Sequence, residues 1–176
     1  MLFCEIIDLS RPLYDGMLVY EGDPAVKISR VREREKDGWE LREITMGSHT
    51  GTHVDAPVHM HAGAPALDDI PLNRFCGPAV AVRPEDDYPH HTGLLFVEPI
   101  GMEQVDKILL AQPPFVGGQL EESVERVLLG EGIITYTDLV NIEKLVGKAF
   151  TFVGLPLKIR EGDGSPVRAV AIVHNR

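Results

Sequence analysis

The stretch from Ser48 to His61 constrains this chain more than any other. It reads Ser-His-Thr-Gly-Thr-His-Val-Asp-Ala-Pro-Val-His-Met-His and holds four of the seven histidines. Gly51, Thr50, Thr52 and Pro57 oppose a helix here. Glycine and β-branched residues weaken one, and a residue before proline leaves the helical region. An extended segment is the alternative, and alternate side chains of a strand share a face. His49, Gly51, His53 and Asp55 then fall on one side, Thr50 and Thr52 on the other. Gly51 is expected to leave room for an ion between the two imidazoles. Two imidazoles and a carboxylate suit zinc, manganese or iron, so His49, His53 and Asp55 are the candidate ligands. Pro57 is expected to turn the chain and return His59 to the cluster as the acid–base group beside a metal-activated water. His61 reads as an outer neighbour facing solvent. An isolated histidine pair four residues apart would suit a surface loop; the full spacing H-x-G-T-H-x-D-x-P-x-H favours a metal site.

Charge excludes other functions. With 27 acidic and 17 basic side chains the formal net charge is −10, and no basic stripe offers a phosphate backbone a partner. Nucleic acid is not an expected partner. No apolar run approaches the length of a membrane span, and the opening MLFCEIIDLSRP lacks the pattern of a secretion signal. The expected compartment is the cytoplasm, where Cys4 and Cys76 would be free, wholly or partly buried thiols.

The rest of the chain reads as one α/β domain over residues 1–176. The segments CEIIDLSRPL, VKISRVRE, WELREITMGSHTGTHVDAP, PAVAVRP, GLLFVEP, GIITY, AFTFVGLPL and SPVRAVAIV are strand candidates. The second and third of these should pair through the turn at Lys36-Asp37-Gly38. Helices are expected over MEQVDKILLAQ, with Met102, Val105 and Leu109 on the buried face, and over LEESVERVLLGEG, stopped by Gly130 and Gly132. NIEKLVG suits a short third helix. Gly162-Asp163-Gly164-Ser165-Pro166 lacks the lysine and following helix of a phosphate loop and reads as a tight turn between the last two strands.

The motif H-T-G-T-H-V-D-A-P-V-H resembles the signature of the cyclase-like metal-dependent hydrolases, a family that includes bacterial kynurenine formamidase (arylformamidase) and isatin hydrolase. DLSRPLYDGMLVYEGDP, IPLNRFCGPAVAV and PLKIREGDGSPVRAVAI resemble other segments of that family, while residues 90–118 match it weakly. The resemblance implies a swivelling β/β/α fold, hydrolysis of a C–N or C–O acyl bond, and a homodimer or higher homo-oligomer. Carried over by position, His49, His53 and Asp55 match metal ligands, His59 the catalytic histidine, and Tyr20 an aromatic residue facing substrate. Dinuclear members add a histidine and a glutamate, where this chain has Glu125 and Thr137. Glu125 and the adjacent Asp138 are the remaining candidates for a second ion, and one ion is the expected count.

The expected function is metal-dependent hydrolysis of a small amide, formamide, lactam or lactone. The alternative is a non-catalytic protein that binds a metal or small ligand on the same scaffold with a degenerate second site. Lys158 and Arg168 read as solvated charges rather than oxyanion donors, and His90-His91 as exposed loop residues.

Overall fold

The computed structural model describes residues 5–174. Cys4 therefore lies outside the described residues, while Cys76 is a half-buried free thiol. In chain order the elements are β1 (Glu5–Asp8), β2 (Lys27–Arg32), α1 (Arg34–Asp37), β3 (Leu41–Thr45), β4 (His53–Asp55), β5 (Cys76–Val82) and β6 (Gly93–Phe96). There follow α2 (Val105–Ala111), β7 (Phe115–Gly117), α3 (Glu122–Gly130), β8 (Ile134–Thr137), β9 (Phe150–Val153), β10 (Gly164–Pro166) and β11 (Val170–Val173). Nine strands form one mixed sheet in the order β1-β11-β9-β5-β6-β7-β8-β4-β10, and β2 pairs with β3 in a separate antiparallel ribbon.

The strands β5, β6, β7 and β8 run parallel at the centre. Parallel strands need crossover connections, and α2 and α3 supply two of them. All four residues of Gly-Leu-Leu-Phe in β6 are buried, as expected of a strand covered on both faces. Its Leu94 and Phe96 join Val105, Ile108, Val124 and Leu128 under the helices. Its Leu95 points the other way, into a cluster with Phe115, Tyr136 and Phe152.

The sheet is curled. In strand order β11 is second and β10 ninth, so a flat sheet would separate them by about 34 Å at ~4.8 Å per strand. The chain between Pro166 and Val170 reaches about 14 Å at most. The two ends of the sheet must therefore approach each other. Val167 N–H donates to the Thr52 carbonyl, next to β4, and Leu9 N–H donates to the Ala169 carbonyl, next to β1.

Four expectations change. The segment from Trp39 to Pro57 is not one strand, because β3 ends at Thr45 and the chain turns before β4 begins at His53. The buried stripe of α2 is Val105, Ile108 and Ala111 rather than Met102, Val105 and Leu109. Met102 lies in a preceding 3-10 turn, whose tighter winding shifts its phase. The turn Gly162–Pro166 does not join a hairpin; β10 pairs with β4 and β11 with β9. Finally, β7 occupies Phe115–Gly117, which was not expected.

Candidate metal centre

Strand β4 supplies two of the four central side chains. His53 and Asp55 are two apart and share a face, while Val54 between them is fully buried on the other. Across the ladder, His53 faces Thr137 and Asp55 faces Thr135 on β8. His49 arrives differently. Gly51 turns the chain at φ +62°, a left-handed conformation that glycine adopts without strain. Simple alternation therefore accounts for His53 and Asp55 but not for His49. Nor does Gly51 make room for an ion: a side chain there would meet Leu13 Cδ2 at 2.9 Å. Thr52 does point away from the cluster, donating to the Asp138 carbonyl at 2.6 Å and accepting from Arg11 N–H at 2.9 Å.

His49 Nδ1 lies 2.5 Å from Asp55 Oδ1, and His53 Nε2 lies 3.4 Å from the same oxygen. His53 Nδ1 donates to the Gly51 carbonyl at 2.6 Å. Pro57 opens a 3-10 turn through His59, which stacks the His59 ring on that of His49 at 3.9 Å between centroids. Asp163, from the turn before β10, brings Oδ2 to 2.9 Å from His49 Nε2 and 3.8 Å from His59 Nδ1. Sequence reasoning did not single out Asp163. The available signal was a carboxylate fixed between two glycines just ahead of a strand.

Electrostatics follow from this packing. Asp55 is 1% exposed. Burial opposes its charge, but the hydrogen bonds and charges of His49 and His53 outweigh it and hold Asp55 well below the usual carboxylate range. Burial likewise opposes a charged His49, and the Asp55 and Asp163 carboxylates outweigh it, raising that imidazole to about 9. His53 is raised by the same balance of burial against Asp55. His59 moves down, through burial and then the His49 charge, so it is neutral at pH 7. Burial and the Asp55 charge push Glu125 up to about 7, against the hydrogen bond it accepts from Thr135 at 2.7 Å.

A buried carboxylate needs a cation. Among the described residues the ion-pair partners of Asp55 are the two imidazoles. Two sets of donor atoms converge within 4.8 Å, His49–His53–Asp55 and His49–His59–Asp163. Nitrogen and carboxylate donors gathered around a buried charge fit a divalent metal. Neither set includes Glu125 or Asp138. Glu125 accepts from Thr135 and also reaches Asp55, and Asp138 pairs with Arg11 at 3.5 Å. The cluster opens into a cavity of about 820 Å³, with Glu125, Asp138 and Tyr20 on its walls. Tyr20 is 77% exposed at the rim, beside Leu18 at 93%.

The other candidates lie elsewhere. His61 donates from Nε2 to the Arg126 carbonyl at 2.7 Å, toward α3. Arg168 is engaged by Asp8 in two hydrogen bonds, and Lys158, His90 and His91 are exposed.

The Cyclase family model matches residues 7–109. The chain belongs to the cyclase family of metal-dependent hydrolases. It is 31% identical to a kynurenine formamidase of Salinibacter ruber, over 94% of this chain and 96% of the relative. It is 32% identical to an uncharacterised protein of Methanocaldococcus jannaschii, over 96% of this chain and all of the relative. In fold it resembles isatin hydrolase A from Ralstonia solanacearum, with a TM-score of 0.82, 20% identity and coverage of 97% and 92% of the two chains.

Proposed function

We propose that this chain hydrolyses the C–N bond of a small amide, with aryl formamides and lactams as the first substrates to test and lactones as the C–O counterpart. Similarity to kynurenine formamidases over nearly the whole chain supports the amide. The observation that carries the reading is Asp55, a buried carboxylate flanked by two imidazoles, with a neutral third imidazole opening on the same cavity. In this reading His49, His53 and Asp55 hold one divalent ion, zinc or manganese. A bound ion would supply a Lewis acid there and would bring the pKa of water toward neutrality.

The protein's own groups do the remaining work. Neutral His59 accepts a proton at a ring nitrogen as water attacks, then returns it to the leaving nitrogen. Asp163, facing both His49 and His59, offers a negative charge to the imidazolium that forms. The apolar Leu18 and Tyr20 at the rim suit the flat face of an aromatic substrate. The count of one ion rests on β8, where Thr137 Oγ1 sits 2.7 Å from His53 Nε2 in place of a carboxylate. A homodimer or larger assembly fits the exposed apolar residues Trp39, Leu41 and Ile44 on and beside the β2–β3 ribbon, and light scattering tests it.

The decisive experiment measures bound metal and turnover of formanilide, isatin and a lactone for the wild type and His59→Ala. The expected outcome is one bound ion in both and a loss of turnover of about 10²–10⁴-fold in the variant. Wild-type protein that binds metal but turns over none of these substrates would favour the non-catalytic reading. Protein that binds no divalent ion would overturn the metal centre itself.

A further inference from the structure

We propose that Asp163 is the positioning residue of the metal centre: its carboxylate accepts the Nε2 proton of His49 and so commits Nδ1 to the ion. The inference rests on the metal reading above and adds to it the residue that selects the histidine's tautomer.

His49 is pulled at both ends. Its Nδ1 faces buried Asp55 at 2.5 Å, and its Nε2 faces Asp163 at 2.9 Å. A neutral imidazole carries one proton and one lone pair, so only one nitrogen can serve a metal while the other donates. The Asp55 side holds the metal-facing nitrogen. There His49 Nδ1 and His53 Nε2 converge on one oxygen of a side chain 2% exposed, whereas the Asp163 side chain is 49% exposed. The same division of labour appears at His53, where Nδ1 donates to the Gly51 carbonyl at 2.6 Å and leaves the Nε2 lone pair to face Thr137 Oγ1 at 2.7 Å and Asp55 at 3.4 Å. For His53 the backbone fixes the tautomer. For His49 no carbonyl does so, and Asp163 stands in that place.

Asp163 is built into position. Its carbonyl accepts from Ala56 N–H at 2.8 Å, and the next residue, Gly164, is paired with Asp55 in the β10–β4 ladder. A Cβ on Gly164 would fall on the His49 ring, so glycine is required for β10 to lie this close. The β10–β4 pairing thus fixes the Asp163 carboxylate relative to the buried Asp55, with the His49 ring held between them. The second convergent set, His49–His59–Asp163, is then not a second metal site. For His49 to serve ions at both nitrogens it would have to lose both protons.

The test is a chelator-competition titration of zinc into metal-stripped wild type, Asp163→Ala and Asp163→Asn, with melting temperatures measured alongside. The alanine variant should bind zinc about 10–100-fold more weakly, the usual effect of losing such an outer hydrogen bond. The asparagine variant should recover part of that affinity, because its amide oxygen still accepts from Nε2–H. Recovery that tracks affinity and not melting temperature separates positioning from a general structural role. Alanine and asparagine affinities within twofold of wild type would overturn the inference. So would a wild type that binds two ions and an alanine variant that binds one, since Asp163 would then be a ligand. A wild type that binds none would overturn the metal centre and this inference with it.

Discussion

Strands β4 and β8 are antiparallel neighbours in perfect register, yet they contribute opposite chemistry to the site. Along β4 the cavity-facing side carries His53 and Asp55, and directly across on β8 stand Thr137 and Thr135. One wall is charged and basic, the other offers only hydroxyls. Both hydroxyls serve the opposite wall or its neighbours: Thr137 meets His53, and Thr135 donates to Glu125 and approaches Asp55 at 3.3 Å. The contrast teaches that two strands in register can divide a site, one supplying its ionisable groups and the next the hydroxyls that hydrogen-bond to them.

The strongest way to break this contrast is Asp55→Asn. It leaves two half-buried imidazoles without their counter-charge, at a cost of up to about 3 kcal/mol, read by urea denaturation of metal-stripped protein, and metal binding is lost with it. The pair also sets a pH window. His49 is raised from 6.5 to about 9, so its contribution to folding is full below pH 6.5 and disappears as pH rises through 9. Asp55 is lowered from 3.8, so its contribution is present above that value and is lost as pH falls below it. The melting temperature of metal-stripped wild type should therefore peak between these limits and decline toward pH 9.5. An Asp55→Asn protein that kept the same alkaline decline would assign that decline to other groups.

A milder change converts the hydroxyl wall. Thr137→Glu places a carboxylate beside His53 and should raise the ion count from one toward two, measured by plasma mass spectrometry. A count that stays at one would show that β8 lacks more than a ligand. The smallest expected effect comes from the wall's edge. Glu125 is raised from 4.5 to about 7, so its ionisation opposes folding above pH 7 and costs nothing below 4.5. Glu125→Gln should stabilise metal-stripped protein on the order of 1 kcal/mol at pH 8 and leave it unchanged at pH 4. Equal melting temperatures at both pH values would remove Glu125 from the electrostatics of the site.

The contrast also marks how far sequence can be read. His53 and Asp55 were legible because alternation is a local property of a strand. His59 was legible because proline turns a chain wherever it stands. The face of His49 was not, since a single left-handed glycine cancels alternation without leaving a periodic trace. Asp163 was hidden for a different reason. It reaches the cluster only because β10 lies against β4, and that pairing follows from the curl of the whole sheet. Strand β7 escaped notice because three residues between prolines and a glycine are too few to show a period. Helix α3 was legible apart from its start, which falls at Glu122 rather than Leu120, because its apolar residues return every three to four positions.

The closing of the sheet also fixes an order of events in time. As the chain leaves the ribosome, the histidine segment emerges with β4 long before β10 exists to lie against it. Strand β10 follows β4 in the chain only after β5, β6, β7, β8 and β9. Sequence separations this large slow folding, because distant segments must meet before either is rewarded. The histidine cluster is therefore complete only once the Asp163 turn and β10 have met β4.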